Sequence, residues 1–196
     1  MNEAPYIFQP IFGNDWERMP PVMRAHYGVR SASDDTVVVK GWLDVRMSWP
    51  VRIASRLLGV LVPYNGNKVP VQVTFTGDAA GQFYFDRAFD FGARGVCHFR
   101  SVLQPVGGDE VMEWMGYGVG WRCAYQWNGE RVILKHRGYV LRVFGRCVPL
   151  PLELLLGKGY AEETPISDTC FAMWTHTKHP LFGEMFRYAG EFEVKK

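Results

Sequence analysis

The sequence predicts an α+β fold dominated by a strongly curved antiparallel sheet of about eight or nine strands, shaped like a half-barrel or a barrel. From Thr36 onwards, apolar and polar residues alternate, which is the period of strands that bury one face. Turn residues separate these segments at short intervals, and Asn128-Gly129 is the clearest hairpin signal because both residues tolerate positive φ. Aromatic residues make up 15% of the chain, a composition typical of strands or of a ring-lined pocket.

The alternation also places the individual strands. They are expected over 36–47, 69–75, 83–91, 97–103, 109–115, 117–127, 131–144, 168–178 and 184–195. Residues 149–157 break the pattern and predict a connector with one short helical turn. The glycines of 116–120 are expected at bends or bulges of the sheet, because no helix follows them to bind a phosphate.

An N-terminal helix is expected before the first strand. Residues 1–13 are rich in proline and aromatic residues and predict an extended arm. Asn14 or Asp15 is a suitable N-cap for a helix that runs to about Tyr27. Pro20-Pro21 interrupts this segment, so two short helical pieces are also consistent with it.

A second, amphipathic helix is expected from Trp49-Pro50 to about Leu61. Its apolar positions at helical spacing are Val51, Ala54, Leu57, Leu58 and Leu61, with Arg52, Ser55 and Arg56 opposite. This pattern suits a helix packed on the sheet, which is the favoured interpretation. The same pattern also suits a helix lying on a membrane surface, so a weak peripheral membrane interaction stays open.

Length and charge restrict the domain organisation and the partners. A chain of 196 residues buries about 70% of its surface on folding, enough for one core, so we expect a single domain over 1–196. The net charge of +2, with the basic residues dispersed, argues against a nucleic-acid partner. No apolar run approaches the ~20 residues of a membrane span, and no signal peptide is apparent. A soluble, cytoplasmic protein is expected.

The sequence predicts neither a cofactor nor a metal. Dinucleotide, P-loop, nucleophile-elbow and HExxH signatures are absent. The four cysteines lie far apart without a CxxC pair, which argues against a zinc site and favours reduced, small apolar side chains, namely Cys97, Cys123, Cys147 and Cys170.

Two ionisable residues lie on otherwise apolar strand faces. Arg87 lies between Phe85 and Phe89, and Glu113 lies on the apolar face of another strand. Because a buried charge needs a partner, we expect Arg87 and Glu113 to meet inside the sheet. The pair would either fix the strand register or form the polar end of a ligand cavity, and the sequence is consistent with both interpretations.

Other polar side chains are candidates for the same interior. Ser101 shares its strand face with Phe99, and His136 shares the parity of Leu134. A histidine at such a position is more often a hydrogen-bonded core group than a base. Paired with Glu113, it would nevertheless suit acid–base chemistry. His179 precedes a proline in a turn and is expected to be exposed.

Several short segments occur in a set order along nearly the whole chain. They are Met19-Pro20-Pro21-Val22-Met23-Arg24-Ala25-His26, the amphipathic helix before Val69-Pro70-Val71-Gln72-Val73-Thr74-Phe75, Arg87-Ala88-Phe89, Phe99-Arg100-Ser101, Glu113 shortly before Gly116, Pro149-Leu150-Pro151, His179-Pro180-Leu181-Phe182-Gly183 and Arg187-Tyr188-Ala189-Gly190. Their order and spacing resemble the bacterial family known as domain of unknown function 4166. The resemblance implies a β-rich domain, sometimes fused to dehydrogenase-like domains, with an accessory or ligand-binding role. It transfers no catalytic residue.

The function predicted best is non-catalytic binding of an apolar or amphipathic, lipid-like small molecule inside the curved sheet. Arg87 and Glu113, with Ser101 and His136, would orient its polar group. The expected wall residues are Phe83, Phe85, Phe99, Trp121 and Tyr125. The alternatives are an acid–base enzyme that uses Glu113 and a histidine, and an interaction module with a filled core. The oligomeric state stays open.

Overall fold

The computed structural model describes residues 4–58 and 61–195, except the side chain of Leu58. Eleven strands carry the fold, and the sequence pattern predicted about eight or nine of them. They are β1 (Thr36–Met47), β2 (Gly66–Gly77), β3 (Phe83–Asp90), β4 (Val96–Gly107), β5 (Glu110–Trp114), β6 (Val119–Trp127), β7 (Val132–Val143), β8 (Arg146–Pro149), β9 (Lys158–Pro165), β10 (Cys170–His179) and β11 (Gly183–Lys195).

Ten of the strands close into an antiparallel barrel. The sheet order is β6-β5-β4-β3-β2-β1-β11-β10-β9-β7-β8, and the pairing of β6 with β7 closes the ring. One edge of β7 serves two partners, because residues 132–135 pair with β9 and residues 140–143 pair with β8. Closure pairs the strand edges that an open sheet would leave exposed to other chains.

Two glycines let β1 and β11 cross closely. A Cβ on Gly41 would collide with the carbonyl oxygen of Glu191, and one on Gly190 would collide with that of Trp42. Only glycine is compatible with such a close backbone approach, which accompanies the strong curvature of the sheet.

Short helices close one end of the barrel, which we call the floor. They are α1 (Gln9–Phe12), a 3₁₀ turn (Gly13–Arg18) and α2 (Pro21–His26). Phe8 is fully buried, and its ring lies 4.9 Å from that of Phe83 and 5.3 Å from that of Tyr125. Residues 1–13 were expected as an extended arm, and this expectation is wrong for 9–12. The burial of neighbouring aromatic rings favours a helical conformation in that segment.

The opposite end, which we call the rim, carries α3 (Trp49–Leu58), α4 (Glu153–Leu156) and the turns at 91–95, 115–118, 144–145 and 180–182. The main-chain N–H of Ser48 donates to the carbonyl of Met185 at 2.9 Å and ties the start of α3 to β11. α3 lies beside α4, and α4 lies beside β10. None of the helices in the described part of the chain has the length and hydropathy needed to cross a bilayer.

The orientation of α3 differs from the prediction. Val51, Ala54 and Ser55 are buried, and the Ser55 hydroxyl donates to the Val51 carbonyl at 2.8 Å. Leu57, which was expected on the buried face, points to solvent. The expected contributions of Leu58 and of residues 59–60 lie outside the described part of the chain. A serine can occupy the inner face because its hydroxyl is satisfied within the helix.

Candidate functional site

The barrel encloses a cavity of about 150 Å³ between the floor and the rim. Its walls are chiefly apolar strand side chains, and the floor and the helix α4 also contribute. The lining includes Tyr27, Val71, Val73, Phe75, Phe85, Phe99, Met115, Trp121, Tyr125, Leu134, Leu152, Leu156, Ala161, Phe171 and Met173. A cavity of this volume can hold a benzene-sized molecule. The core of this barrel is therefore not completely filled.

A three-residue polar cluster lies on one wall, formed by β3, β4 and β5. The Arg87 Nη2 donates to Glu113 Oε1 at 2.7 Å, and Nη1 donates to Ser101 Oγ at 3.1 Å. The Ser101 hydroxyl in turn donates to Glu113 Oε1 at 2.7 Å. The expected meeting of Arg87 and Glu113 inside the sheet is confirmed. Strand register explains it, because Ser101 pairs with Phe85 and Glu113 pairs with Leu103 on the inner face.

The Arg87 guanidinium also lies between two aromatic rings. Its central carbon is 4.2 Å from the ring centroid of Phe85 and 4.5 Å from that of Phe99. Such stacking stabilises a desolvated cation. The hydrogen bonds to described residues use two of the five N–H groups that a guanidinium offers. Arg87 and Glu113 both line the cavity.

A second polar cluster, at the floor, was not predicted. Glu163 lies on the inner face of β9 beyond Ala161, and the Tyr27 hydroxyl donates to its Oε2 at 2.5 Å. The His26 Nε2 lies 3.4 Å from the same oxygen. The three side chains are buried, and neither ring nitrogen of His26 forms a hydrogen bond with a described residue. All three residues line the cavity.

The electrostatics of the floor cluster keep Glu163 ionised. Burial raises the pKa of the Glu163 carboxyl, but attraction to His26 and the hydrogen bond from Tyr27 outweigh it, and the net pKa is lowered. Burial, reinforced by the negative charge of Glu163, raises the pKa of Tyr27 well above its ordinary value. At neutral pH the cluster thus presents a carboxylate acceptor to the cavity, and the neutral Tyr27 phenol already donates its proton to that carboxylate.

The other predicted site residues fall into two groups. Phe85, Phe99, Trp121 and Tyr125 line the cavity as expected of wall residues. Phe83 packs at the floor instead, where its ring contacts those of Phe8 and Phe75.

His136 is engaged beneath α4, away from Glu113. Its Nδ1 accepts from the Trp121 indole N–H at 2.9 Å, and its Nε2 lies 2.8 Å from Glu153 Oε1. These contacts fit a histidine that anchors α4. The histidine that approaches a cavity carboxylate is His26, and its partner is Glu163.

His179 was expected to be exposed, and this expectation is wrong, because the side chain is buried. Its Nδ1 accepts from the backbone N–H groups of Leu181 and Phe182 at 3.1 and 3.2 Å. Its Nε2 donates to the Leu154 carbonyl at 3.1 Å. The ring therefore joins the turn at 180–182 to α4.

The part of the chain that the structure describes holds no group of three or more His, Cys, Asp or Glu residues placed to bind a metal ion.

The chain belongs to the family Domain of unknown function (DUF4166), whose model matches residues 19–192. No curated protein and no solved structure matches the chain. The matched segment contains both polar clusters and all of the barrel strands except the last three residues of β11.

Proposed function

We propose that the barrel binds a small molecule with an apolar body and a neutral hydrogen-bonding end. The observation that carries the proposal is an apolar hollow into which two separate buried polar clusters project. Ligand sites commonly combine apolar walls with a few placed polar groups. Charged side chains are costly to bury, and apolar residues at such positions often stabilise a fold better. Arg87, Glu113 and Glu163 are therefore better suited to orienting a ligand than to stabilising the barrel.

The charges of the clusters favour a neutral ligand. The Arg87 guanidinium already has a carboxylate partner in Glu113, and the second carboxylate, Glu163, lies 3.4 Å from the His26 ring nitrogen. An additional anion would be repelled by two carboxylates that share its low-dielectric surroundings. A hydroxyl group fits both sites, because it can accept from an unused Arg87 N–H and donate to a carboxylate.

The volume of the cavity limits the size of the ligand. A space of about 150 Å³ accommodates one ring or a short branched chain. A longer, lipid-like molecule requires displacement of α4 together with the residue before it, because Leu156 of α4 and the preceding Leu152 form part of the wall. The bond from His179 to Leu154 and the pair of His136 with Glu153 hold this short segment in place.

Binding is tested with benzyl alcohol and with benzoate, which share a ring and differ in charge. Ligand-detected NMR and the shift in melting temperature are measured for the wild type and for Ala161→Phe, which places a ring inside the cavity. The control is Ala172→Phe, because Ala172 lies on the outer face of β10, opposite in parity to Phe171.

We expect benzyl alcohol to bind to the wild type and to the control and to fail with Ala161→Phe. Benzoate should bind much more weakly. Equal binding of benzyl alcohol to both variants would show that it does not occupy the cavity. Absence of binding to the wild type, together with a native mass spectrum free of co-purified ligand, would refute the proposal.

A further inference from the structure

The rim of the barrel exposes large apolar side chains from several chain segments. On α3, Trp49 and Leu57 are each 70% exposed, and Ile53 lies between them on the same helix face. At the turn between β10 and β11, Leu181 is 83% and Phe182 is 71% exposed. Further exposed apolar side chains at the rim are those of Tyr117, Phe144, Leu154 and Leu155. Concentration of so much apolar surface at one end marks an interaction site.

The turn at 180–182 is held in this arrangement by hydrogen bonds. The buried ring of His179 accepts from the backbone of Leu181 and Phe182 and donates to α4. The two apolar side chains are thus presented outward by a fixed backbone. Because α4 lies beside both α3 and β10, the apolar residues of α3, α4 and this turn form one neighbouring set.

Charge distinguishes the rim from the floor. The connections between strands at the rim contain Arg52, Arg56 and Arg94, and Glu153 is the acidic residue among them. Those at the floor contain acidic side chains and one basic residue, Arg131. The acidic residues are Asp78, Asp109, Glu130 and Asp168. The connections between strands are therefore polarised along the barrel axis, with their positive end at the apolar rim.

The basic side chains of the rim are exposed, and two of them, Arg56 and Arg94, lie over the ring of Tyr64. Arg52 and Arg56 are exposed and form no ion pair with any described residue, and they flank the exposed apolar stripe of α3. The nearby carboxylates are engaged, Glu153 with His136 and Glu184 with Arg187. A helix face that combines an aromatic residue, aliphatic side chains and arginines is typical of amphipathic helices that lie in the interface of an anionic bilayer.

We infer that the rim is a docking surface for an anionic lipid membrane. The exposed apolar side chains enter the headgroup region, and the arginines contact lipid phosphates. The route of a ligand from the bilayer into the cavity, past α4, rests on the proposed function. Docking itself does not depend on a ligand.

Flotation with vesicles tests this inference. Wild-type protein is mixed with vesicles of phosphatidylcholine alone or of phosphatidylcholine and phosphatidylglycerol, at low and at raised salt. The apolar variant is Leu181→Asp with Phe182→Asp. Its control is Ile166→Asp, which adds a charge at an exposed apolar position in a turn of the floor. The basic variant is Arg52→Glu with Arg56→Glu, and its control is the exposed Arg18→Glu at the floor. Melting temperatures identify variants that fail to fold.

We expect the wild type and both controls to float with the anionic vesicles and to be released by salt. Reversal of the two basic charges should weaken binding roughly tenfold or more, and the apolar variant should remain unbound. Failure of the wild type to float, or equal losses in the floor controls, would overturn the inference. So would a dimer of the wild type that the apolar variant dissociates, because the rim would then be covered by a second copy.

The cavity-filled variant Ala161→Phe separates the two proposals. It should float like the wild type, because the rim is unchanged. Flotation without benzyl alcohol binding would leave docking valid and refute the binding proposal. Binding of benzyl alcohol by a protein that does not float would leave the binding proposal valid and refute docking.

Discussion

The Tyr27 hydroxyl donates a hydrogen bond of 2.5 Å to Glu163, which joins the N-terminal floor to a strand 136 residues later in the chain. Both residues are buried and both line the cavity. The bond therefore couples closure of the barrel at the floor to the position of a charged group inside it. A carboxylate in such surroundings depends strongly on each of its donors.

Replacement of Tyr27 by phenylalanine tests this coupling. Tyr27→Phe keeps the ring and removes the donor, so Glu163 loses its short hydrogen bond while it stays buried. We expect the free energy of unfolding to fall by about 1–3 kcal/mol in urea denaturation. The control is Tyr84→Phe, because the exposed Tyr84 hydroxyl also donates to a carboxylate, that of Asp78, at 2.9 Å. Its loss should cost less than about 1 kcal/mol. Equal effects of the two changes would contradict the assigned role.

Glu163 also predicts how stability depends on pH. Its pKa is lowered in the folded protein from an ordinary value of 4.5, so the unfolded chain binds the proton more readily. The stability that Glu163 contributes is therefore complete above that value. It is lost as the pH falls from there through the lower pKa of the folded state. Urea denaturation at several pH values should show a shallower acid decline for Glu163→Gln than for the wild type. Parallel declines would argue against this pKa shift.

The pair of Arg87 and Glu113 predicts a large effect of breaking it on one side. Arg87→Met leaves Glu113 buried without its cation and should destabilise the protein by about 3–5 kcal/mol. Arg87→Met combined with Glu113→Met removes both charges and should recover a substantial part of this loss.

The control for this pair lies on the outer face of the same sheet. Arg100 pairs with Asp86 at 3.2 Å, and its side chain is largely exposed. Arg100→Met should change the free energy of unfolding by less than about 1 kcal/mol. An unchanged melting temperature in Arg87→Met would show that the inner pair is not energetically coupled to the fold.

The regular alternation of apolar and polar residues was sufficient to predict most of the barrel, and its exceptions have physical causes. β8 was missed because all four of its residues are exposed, so it has no buried face to detect. β9 was missed because its inner face consists of two small residues and a charged one, Gly159, Ala161 and Glu163. These residues do not produce the alternation of large apolar and polar side chains that predicts a strand. The pairing of β7 with β9, which the closed ring also requires, joins strands that are not consecutive in the chain.

Of the two polar clusters in the candidate site, one could be predicted from the sequence and the other could not. Arg87 and Glu113 could be predicted to meet because each interrupts an apolar strand face. The floor cluster could not, since Tyr27 and Glu163 are distant in sequence and Glu163 lies in the undetected strand. The parity of Glu163 with Ala161 was the one available signal. The partners of His136 and the burial of His179 could not be predicted, because the hydrogen bonds of both side chains depend on α4, a tertiary neighbour.

Phe8 predicts how far the barrel depends on its floor. Its ring is fully buried against those of Tyr27, Phe83 and Tyr125, at centroid distances of 4.8 to 5.3 Å. Phe8→Ala should lower the free energy of unfolding by about 3–5 kcal/mol, because the ring leaves a cavity next to the existing one. The control Phe182→Ala removes an exposed ring and should stay within about 0.5 kcal/mol of the wild type. Benzene should restore part of the melting temperature of Phe8→Ala by filling the space. A loss no larger than that of the control would mean that the N-terminal segment does not seal the barrel.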